Sequence, residues 1–123
     1  MKRKLRTIVV DGDRYAWTVR HLHKVLPEAP PLQGRCRELF SAFRAGYKAC
    51  PLRVQFDDSK TQQAGYPSAG VVWMSDGGFE ANLNTPSVAA ALIRAALQRG
   101  WRPLAAKQPF VIEDGFAFAQ AAV

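Results

Sequence analysis

The chain has 123 residues, which is the usual size of one domain and too short for two separate hydrophobic cores. Hydrophobic residues make up 48% of the chain and charged residues 22%, which excludes a collagen-like or wholly disordered protein. Seventeen Lys and Arg residues against ten Asp and Glu residues give a net charge of +7. This balance favours an acidic partner, such as a phosphate backbone or an acidic protein surface. We expect a single domain over residues 1–123.

The cysteine content and the hydropathy pattern predict the compartment. Cys36 and Cys50 are too few for a disulfide framework. The apolar run near the N-terminus ends at Asp11, and no segment reaches the roughly 20 apolar residues that a membrane-spanning helix needs. We therefore expect a cytoplasmic protein that does not associate with a membrane.

Three Asp-Gly dipeptides, at 11–12, 76–77 and 114–115, lie between apolar segments and predict tight turns. Gly accepts a positive φ and Asp tolerates it, which makes this dipeptide a strong hairpin signal. The predicted hairpins join residues 5–10 to 14–22, residues 70–75 to 79–83, and residues 110–112 to 116–119. A further strand is predicted over 52–56. Alternation of apolar and polar residues indicates a sheet with one buried face.

Two helices are predicted. Residues 86–99 carry an apolar stripe at helical spacing, with Pro86 at the first helical position and Gly100 just past the end. A second helix is predicted over about 35–45, because apolar residues from Cys36 to Tyr47 recur at helical spacing.

The predicted fold class is therefore α+β. A mainly antiparallel sheet of hairpins packs one face against the helix of the C-terminal half, and a second short helix covers another part of the core. Residues 24–34 contain three prolines and are interpreted as an irregular connection. Residues 59–68 are polar and are interpreted as a mobile loop.

Cationic residues are concentrated in the first hairpin and in the predicted second helix. If the hairpin loop has an odd number of residues, its basic side chains share the outer face, whereas a two-residue loop mixes them with the core set. Such a row can follow phosphates or an acidic protein, or it can simply keep an exposed sheet soluble. The candidate binding residues are Lys4, Arg6, Arg14, Arg20, Arg37, Arg44 and Lys48.

Two patterns invite a metal or enzyme interpretation. His21 and His23 are two residues apart on a strand, so their side chains point the same way and form half of a possible metal site. Acid pairs occur at 11 and 13, 57 and 58, and 113 and 114, but at turns and strand ends, where Asp commonly binds backbone groups. We therefore assign no metal, no cofactor and no enzymatic activity, with a small metal-dependent hydrolase or nuclease as an alternative.

Several segments carry a resemblance to other proteins: Val-Val-Asp-Gly-Asp-Arg-Tyr-Ala-Trp-Thr-Val-Arg-His at 9–21, Asn-Leu-Asn-Thr-Pro at 82–86, Ile-Arg-Ala-Ala-Leu at 93–97, Gly-Trp-Arg-Pro at 100–103 and Pro-Phe-Val-Ile-Glu-Asp-Gly at 109–115. They resemble a group of small uncharacterised bacterial proteins of about this length. The resemblance implies a bacterial cytoplasmic origin and assigns no activity, cofactor or site residue.

The functional hypothesis is a non-enzymatic binding or accessory protein that recognises an acidic macromolecular surface. A protein partner is favoured over nucleic acid, because the sequence has no recognised nucleic-acid-binding motif. A nucleic-acid-binding accessory protein that uses the Arg-rich first hairpin is the alternative.

Overall fold

The computed structural model describes residues 5–24, 35–58, 62–64, 70–75, 77–105 and 107–122. These ranges form eight strands and two helices, which confirms the predicted α+β fold class. In chain order the elements are β1 (Arg6–Val10), β2 (Asp13–Lys24), β3 (Arg35–Arg44), β4 (Tyr47–Asp57), β5 (Gln62–Ala64), β6 (Val71–Met74), β7 (Glu80–Asn82), α1 (Pro86–Gln98), β8 (Phe110–Ile112) and α2 (Gly115–Ala122). The irregular connection predicted over residues 24–34 lies outside the described residues from residue 25 onward.

The strands form two sheets. The larger sheet has the order β1-β2-β3-β4-β8 and is antiparallel except for the parallel pair of β4 and β8. The smaller sheet has the order β5-β6-β7 and is antiparallel. The first two predicted hairpins are confirmed, as β1 with β2 and β6 with β7. In the segment predicted as a loop, the described residues 62–64 form strand β5 instead.

The turn of the first hairpin has two residues, 11–12, and both have positive φ, 51° and 87°. This short turn suits the right-handed twist of the paired strands. It pairs Arg6 with Trp17, so Arg6 points to the same side of the sheet as that buried ring. Arg14 and Arg20 alternate to the opposite side. The odd-length register, which put all these arginines on one face, is therefore wrong.

The helix predicted over residues 35–45 is also wrong, because this segment is strand β3, paired with β2 and β4. Phe40 and Ala42 alternate inward with Glu38, which is buried. Leu39 and Phe43 point outward and are half-buried. Apolar side chains on both sides of a strand, together with a carboxylate on the inner side, produced a spacing that imitates a helix.

The third Asp-Gly dipeptide begins a helix rather than a hairpin, so the strand predicted over 116–119 is wrong. The carboxylate of Asp114 accepts a hydrogen bond of 3.2 Å from the backbone N–H of Ala117 and so caps α2. Asp is a favourable residue in both a turn and a helix N-cap, and the local sequence does not separate the two. Strand β8 is confirmed, but it pairs with β4.

Helix α1 matches the predicted helix at both ends. Pro86 is at its first position, and Gly100 follows its last turn with a φ of 109°. The backbone N–H of Trp101 donates to the carbonyl oxygen of Ala96 at 2.9 Å, which turns the chain back over the helix end. The indole N–H of Trp101 then donates to the carbonyl oxygen of Cys50 at 3.0 Å, so the ring is fixed against β4.

The hydrophobic core lies on one side of the larger sheet. Its buried cluster joins Trp17 and Phe40 of that sheet with Val72 of β6, Leu92 of α1 and Phe116 of α2. Both helices and the smaller sheet therefore contribute to the same core. Among the described residues, no side chain from the other face of the larger sheet belongs to this cluster.

The junction of α2 and β4 depends on a glycine. A Cβ atom at Gly115 would lie 2.4 Å from the backbone oxygen of Gln55 and 3.0 Å from the ring of Phe56. We expect Gly115→Ala to lower the free energy of unfolding by about 1–3 kcal/mol, because the backbone obstacle forces α2 away from β4. Urea unfolding measures the change. Ala121→Ser, at an exposed position of the same helix, is the control, and an equal midpoint for both variants would contradict this contact.

Candidate binding surface

One face of the larger sheet lies outside the core, and we call it the open face. Side chains alternate along a strand, so the register of the five strands defines its members. By that register the open face carries Thr7, Val9, Arg14, Ala16, Thr18, Arg20, Leu22, Arg37, Leu39, Ser41, Phe43, Arg53, Gln55, Asp57 and Val111.

The open face collects cationic side chains from three strands. The ammonium group of Lys48 also reaches it, since its Nζ atom lies 5.8 Å from the centre of the Phe43 ring. The resulting set is Arg14, Arg20, Arg37, Lys48 and Arg53. The structure thus brings together four of the seven predicted binding residues. Arg53 was missed, although its position between two buried residues of β4 could have indicated an outward side chain.

The other predicted binding residues lie elsewhere. The guanidinium of Arg6 lies 5.4 Å from the centre of the Trp17 ring, at the margin of the core side. The Nη2 atom of Arg44 lies 3.1 Å from a carboxylate oxygen of Asp13 on that same side. Lys4 lies outside the described residues. The prediction that Arg6 and Arg44 belong to the same binding surface as Arg14 and the other open-face cations is therefore wrong.

Arg37 is the one open-face arginine with an ion pair in the described ranges. Its Nε and Nη2 atoms donate to the two carboxylate oxygens of Asp57 at 2.5 and 3.1 Å. These hydrogen bonds raise the pKa of the Arg37 guanidinium above its ordinary value. By contrast, the guanidinium groups of Arg14, Arg20 and Arg53 make no ion pair or hydrogen bond with any described residue. Three cations of the open face are therefore available to a partner.

Apolar side chains lie between these cations. Val9 of edge strand β1 is 60% exposed, and Val111 of edge strand β8 is 43% exposed. Leu39 and Phe43 are half-buried near the centre of the face. The open face therefore carries exposed aliphatic groups at its two edges and half-buried apolar groups nearer its middle, together with the cations.

His21 contacts a buried carboxylate. Its Nδ1 atom contacts a carboxylate oxygen of Glu38, a residue with no exposed surface. The second oxygen of Glu38 has no hydrogen-bond partner among the described residues. The part of the chain that the structure describes contains no group of three His, Cys, Asp or Glu residues that could hold a metal. His21 thus pairs with a core carboxylate, and the side chain of His23 lies outside that part.

The acid pairs of the sequence are divided among separate contacts. In the pairs at 11 and 13 and at 57 and 58, the two carboxylates contact different groups, and in the third pair Asp114 contacts a backbone N–H. The contacts are Asp11 with Arg94, Asp13 with Arg44, Asp57 with Arg37, Asp58 with the backbone N–H of Cys36, and Asp114 with the backbone N–H of Ala117. This arrangement gives no support to the hydrolase hypothesis.

Comparison of this chain with protein-family models, curated proteins and solved structures gives no match. Of the two helices in the described ranges, neither is long and apolar enough to cross a membrane. The resemblance to small bacterial proteins stays a prediction. The functional inference therefore depends on the surfaces of the molecule itself.

The thiol of Cys36, near the His21 pair, provides a test of this region. Burial, followed by the charges of Asp58 and Glu38, raises the pKa of Cys36 above its ordinary value of 9.0. Since the thiolate is the reactive form, we expect iodoacetamide to reach its half-maximal rate at a higher pH in the folded chain than in the urea-unfolded chain. Peptide mapping separates Cys36 from Cys50.

The sign of this shift also bears on stability. Because folding favours the protonated thiol, the Cys36 contribution to stability is complete below pH 9.0 and is lost as the pH rises through the folded pKa. Asp58→Asn removes one of the causes and is expected to bring the alkylation curve closer to that of the unfolded chain. An equal or lower half-maximal pH in the folded chain would contradict the assignment.

Proposed function

We propose that this protein is a non-enzymatic binding protein, and that its open face recognises an acidic surface on a partner protein. The observation that carries the proposal is the combination, on the sheet face opposite the core, of exposed aliphatic side chains with three arginines that make no ion pair or hydrogen bond with a described residue. A sheet face outside the core is normally polar. The exposed valines at its two edges, with half-buried Leu39 and Phe43 between them, give this face apolar area that a partner protein can bury.

The charge of the open face favours an acidic partner. It has five cationic groups against one described carboxylate, Asp57, which already binds Arg37. The guanidinium groups of Arg14, Arg20 and Arg53 can each donate two hydrogen bonds to one carboxylate of a partner. Charge complementarity of this kind accelerates encounter and suppresses partners of the wrong charge.

The apolar part of the face favours a protein over nucleic acid. Val9, Leu39 and Val111 offer aliphatic surface, which the apolar side chains of a protein can bury. Proteins that bind single-stranded nucleic acid stack successive bases on several aromatic side chains. The described open face has one aromatic residue, Phe43, and the ammonium of Lys48 already lies over its ring.

The size of the face fits a single protein contact. Three strands of ten to twelve residues form its centre, and shorter strands form its edges. With strands about 4.8 Å apart and a rise of about 3.3 Å per residue, the face covers on the order of 600 Å². A stable complex of standard size buries about 800 Å² on each partner. The open face can therefore supply most of such an interface.

The test compares two triple variants of equal net charge. Arg14→Gln, Arg20→Gln and Arg53→Gln together remove the unpaired cations of the open face, whereas Arg94→Gln, Arg99→Gln and Lys107→Gln remove three exposed cations elsewhere. We expect the first variant to retain at least about tenfold less of an acidic polypeptide from an extract of the source cells. The second is expected to behave like the unchanged protein. Quantitative mass spectrometry measures retention.

Two further measurements test whether the open face itself binds the polypeptide and whether it binds nucleic acid instead. Val9→Asp, which places a negative charge at the edge of the open face, is expected to weaken capture of the same polypeptide. A fluorescent 20-nucleotide single strand is the nucleic-acid probe. Equal capture by both triple variants would refute the proposal. A second outcome would replace protein binding with nucleic-acid binding as the proposed function. In that outcome no protein is captured, and the single strand binds tightly in a salt-sensitive way that only the open-face variant loses.

A further inference from the structure

Strand β1 is an edge of the larger sheet. In the part of the chain that the structure describes, it pairs with β2 on one side and with no strand on the other. Residues 5–9 are exposed except for the half-buried Ile8. An edge of this kind presents unpaired backbone N–H and C=O groups, which can pair with a strand of another chain.

Every second residue of this edge points its backbone groups away from β2. A two-residue turn is closed by a hydrogen-bonded pair, and such pairs alternate along the ladder with pairs that are not hydrogen-bonded. Val9 and Arg14 form a pair of the second kind, and the carbonyl oxygen of Arg14 accepts a hydrogen bond of 3.0 Å from the N–H of Ala45, beside β3. By the same alternation, the backbone groups of Leu5, Thr7 and Val9 point outward. They make no backbone hydrogen bond with any described residue.

The exposed side chains of the edge are symmetrical about Thr7. Leu5 is 47% exposed and Val9 is 60% exposed, and each lies two residues from Thr7 on the same side of the sheet. If a second copy of β1 runs antiparallel with Thr7 opposite Thr7, then Leu5 of each copy faces Val9 of the other. All the outward backbone groups of these three residues are then paired. The edge is therefore complementary to itself, as a two-fold symmetric contact requires.

The neighbouring registers of the same two strands are less favourable. A symmetry axis at Arg6 places two guanidinium groups opposite each other, which is destabilising. An axis at Ile8 places Leu5 opposite the carboxylate of Asp11. With the axis at Thr7, Arg6 faces Ile8 of the other copy, so each cation lies against an apolar side chain and away from its own counterpart.

The two ends of the edge have charges of opposite sign. Residues 2–4, which precede the edge in the sequence, are Lys-Arg-Lys, whereas Asp11 and Asp13 follow β1. An antiparallel copy brings the beginning of one strand beside the end of the other, so the dimer has two such contacts between opposite charges. They offset part of the repulsion between two chains that each carry a net charge of +7.

We propose that β1 is the contact of a two-fold symmetric dimer, in which the larger sheets of two copies join edge to edge about Thr7. Each copy supplies five strands, so the dimer has one continuous sheet. The axis is perpendicular to that sheet, and the two open faces therefore lie on the same side. An edge of five residues buries much less than the roughly 800 Å² per partner of a standard interface. We therefore expect a reversible dimer with a Kd on the order of 10–100 µM.

Sedimentation equilibrium of the free protein, from about 5 to about 500 µM, measures this association. Thr7→Pro removes one outward N–H and leaves the hydrogen bonds between β1 and β2 intact, so it is expected to weaken the dimer at least about tenfold. Thr7→Val keeps that N–H and a β-branched side chain, and it is expected to associate like the unchanged protein. Urea unfolding verifies that both variants are folded.

Disulfide cross-linking tests the register and does not depend on the proline variant. The Cα atoms of a hydrogen-bonded antiparallel pair are about 5.5 Å apart, which suits a disulfide. Thr7→Cys is therefore expected to cross-link two copies under mild oxidation. The two Val9 positions are offset by four residues, or about 13 Å, so Val9→Cys is expected to cross-link at least about tenfold more slowly. Peptide mapping separates this disulfide from any that involves Cys36 or Cys50.

These measurements use the free protein, so they are independent of the proposed function. The open-face variant Arg14→Gln, Arg20→Gln, Arg53→Gln is expected to dimerise like the unchanged protein, because none of its three positions lies on β1. Four outcomes would overturn the dimer: a protein that stays monomeric up to about 500 µM, formation of larger aggregates only, equal association of Thr7→Pro and Thr7→Val, or equally fast cross-linking of Thr7→Cys and Val9→Cys.

Discussion

The two-residue turn at 11–12 sets the register of the first strand pair, and the rest of the sheet depends on that register. Side chains alternate along a strand, so a shift of one residue would exchange every inward and outward side chain of β1. With this turn, Val10 of β1 faces the core on the same side as Trp17 of β2, while Val9 faces outward on the side of Arg14. The first strand pair thus supplies core side chains on one side and part of the open face on the other.

The core contains one buried carboxylate, and a contact with a neighbouring strand offsets part of the free energy that its burial costs. Glu38 lies on the inner side of β3, where apolar residues surround most neighbouring positions. Burying a carboxylate is unfavourable unless it is paired and hydrogen-bonded. His21, on the neighbouring strand, supplies that pairing. Replacing His21 removes this contact from the buried carboxylate of Glu38, so the contact joins β2 and β3 at this end of the sheet.

Local signals account for the parts of the fold that were predicted correctly. The turn at 11–12 and helix α1 depend on residues that are neighbours in the sequence. The sequence alone therefore predicts both elements. Strand β3 was not predictable in this way, because its outward apolar residues belong to a surface and not to the core. The cations of the open face could be counted from the sequence, but their division between the two sides of the sheet depends on register.

The parallel pairing of β8 with β4 has a consequence for how the molecule assembles. Leu52 pairs with Phe110, so the contact joins parts of the chain that are far apart, whereas the hairpins join neighbouring segments. Closing such a long loop is entropically costly and is generally slow relative to hairpin formation. During synthesis the first four strands can pair before β8 has left the ribosome. The Val111 edge is then added to the sheet after the other four strands, and the nascent protein presents an incomplete face until β8 has been made.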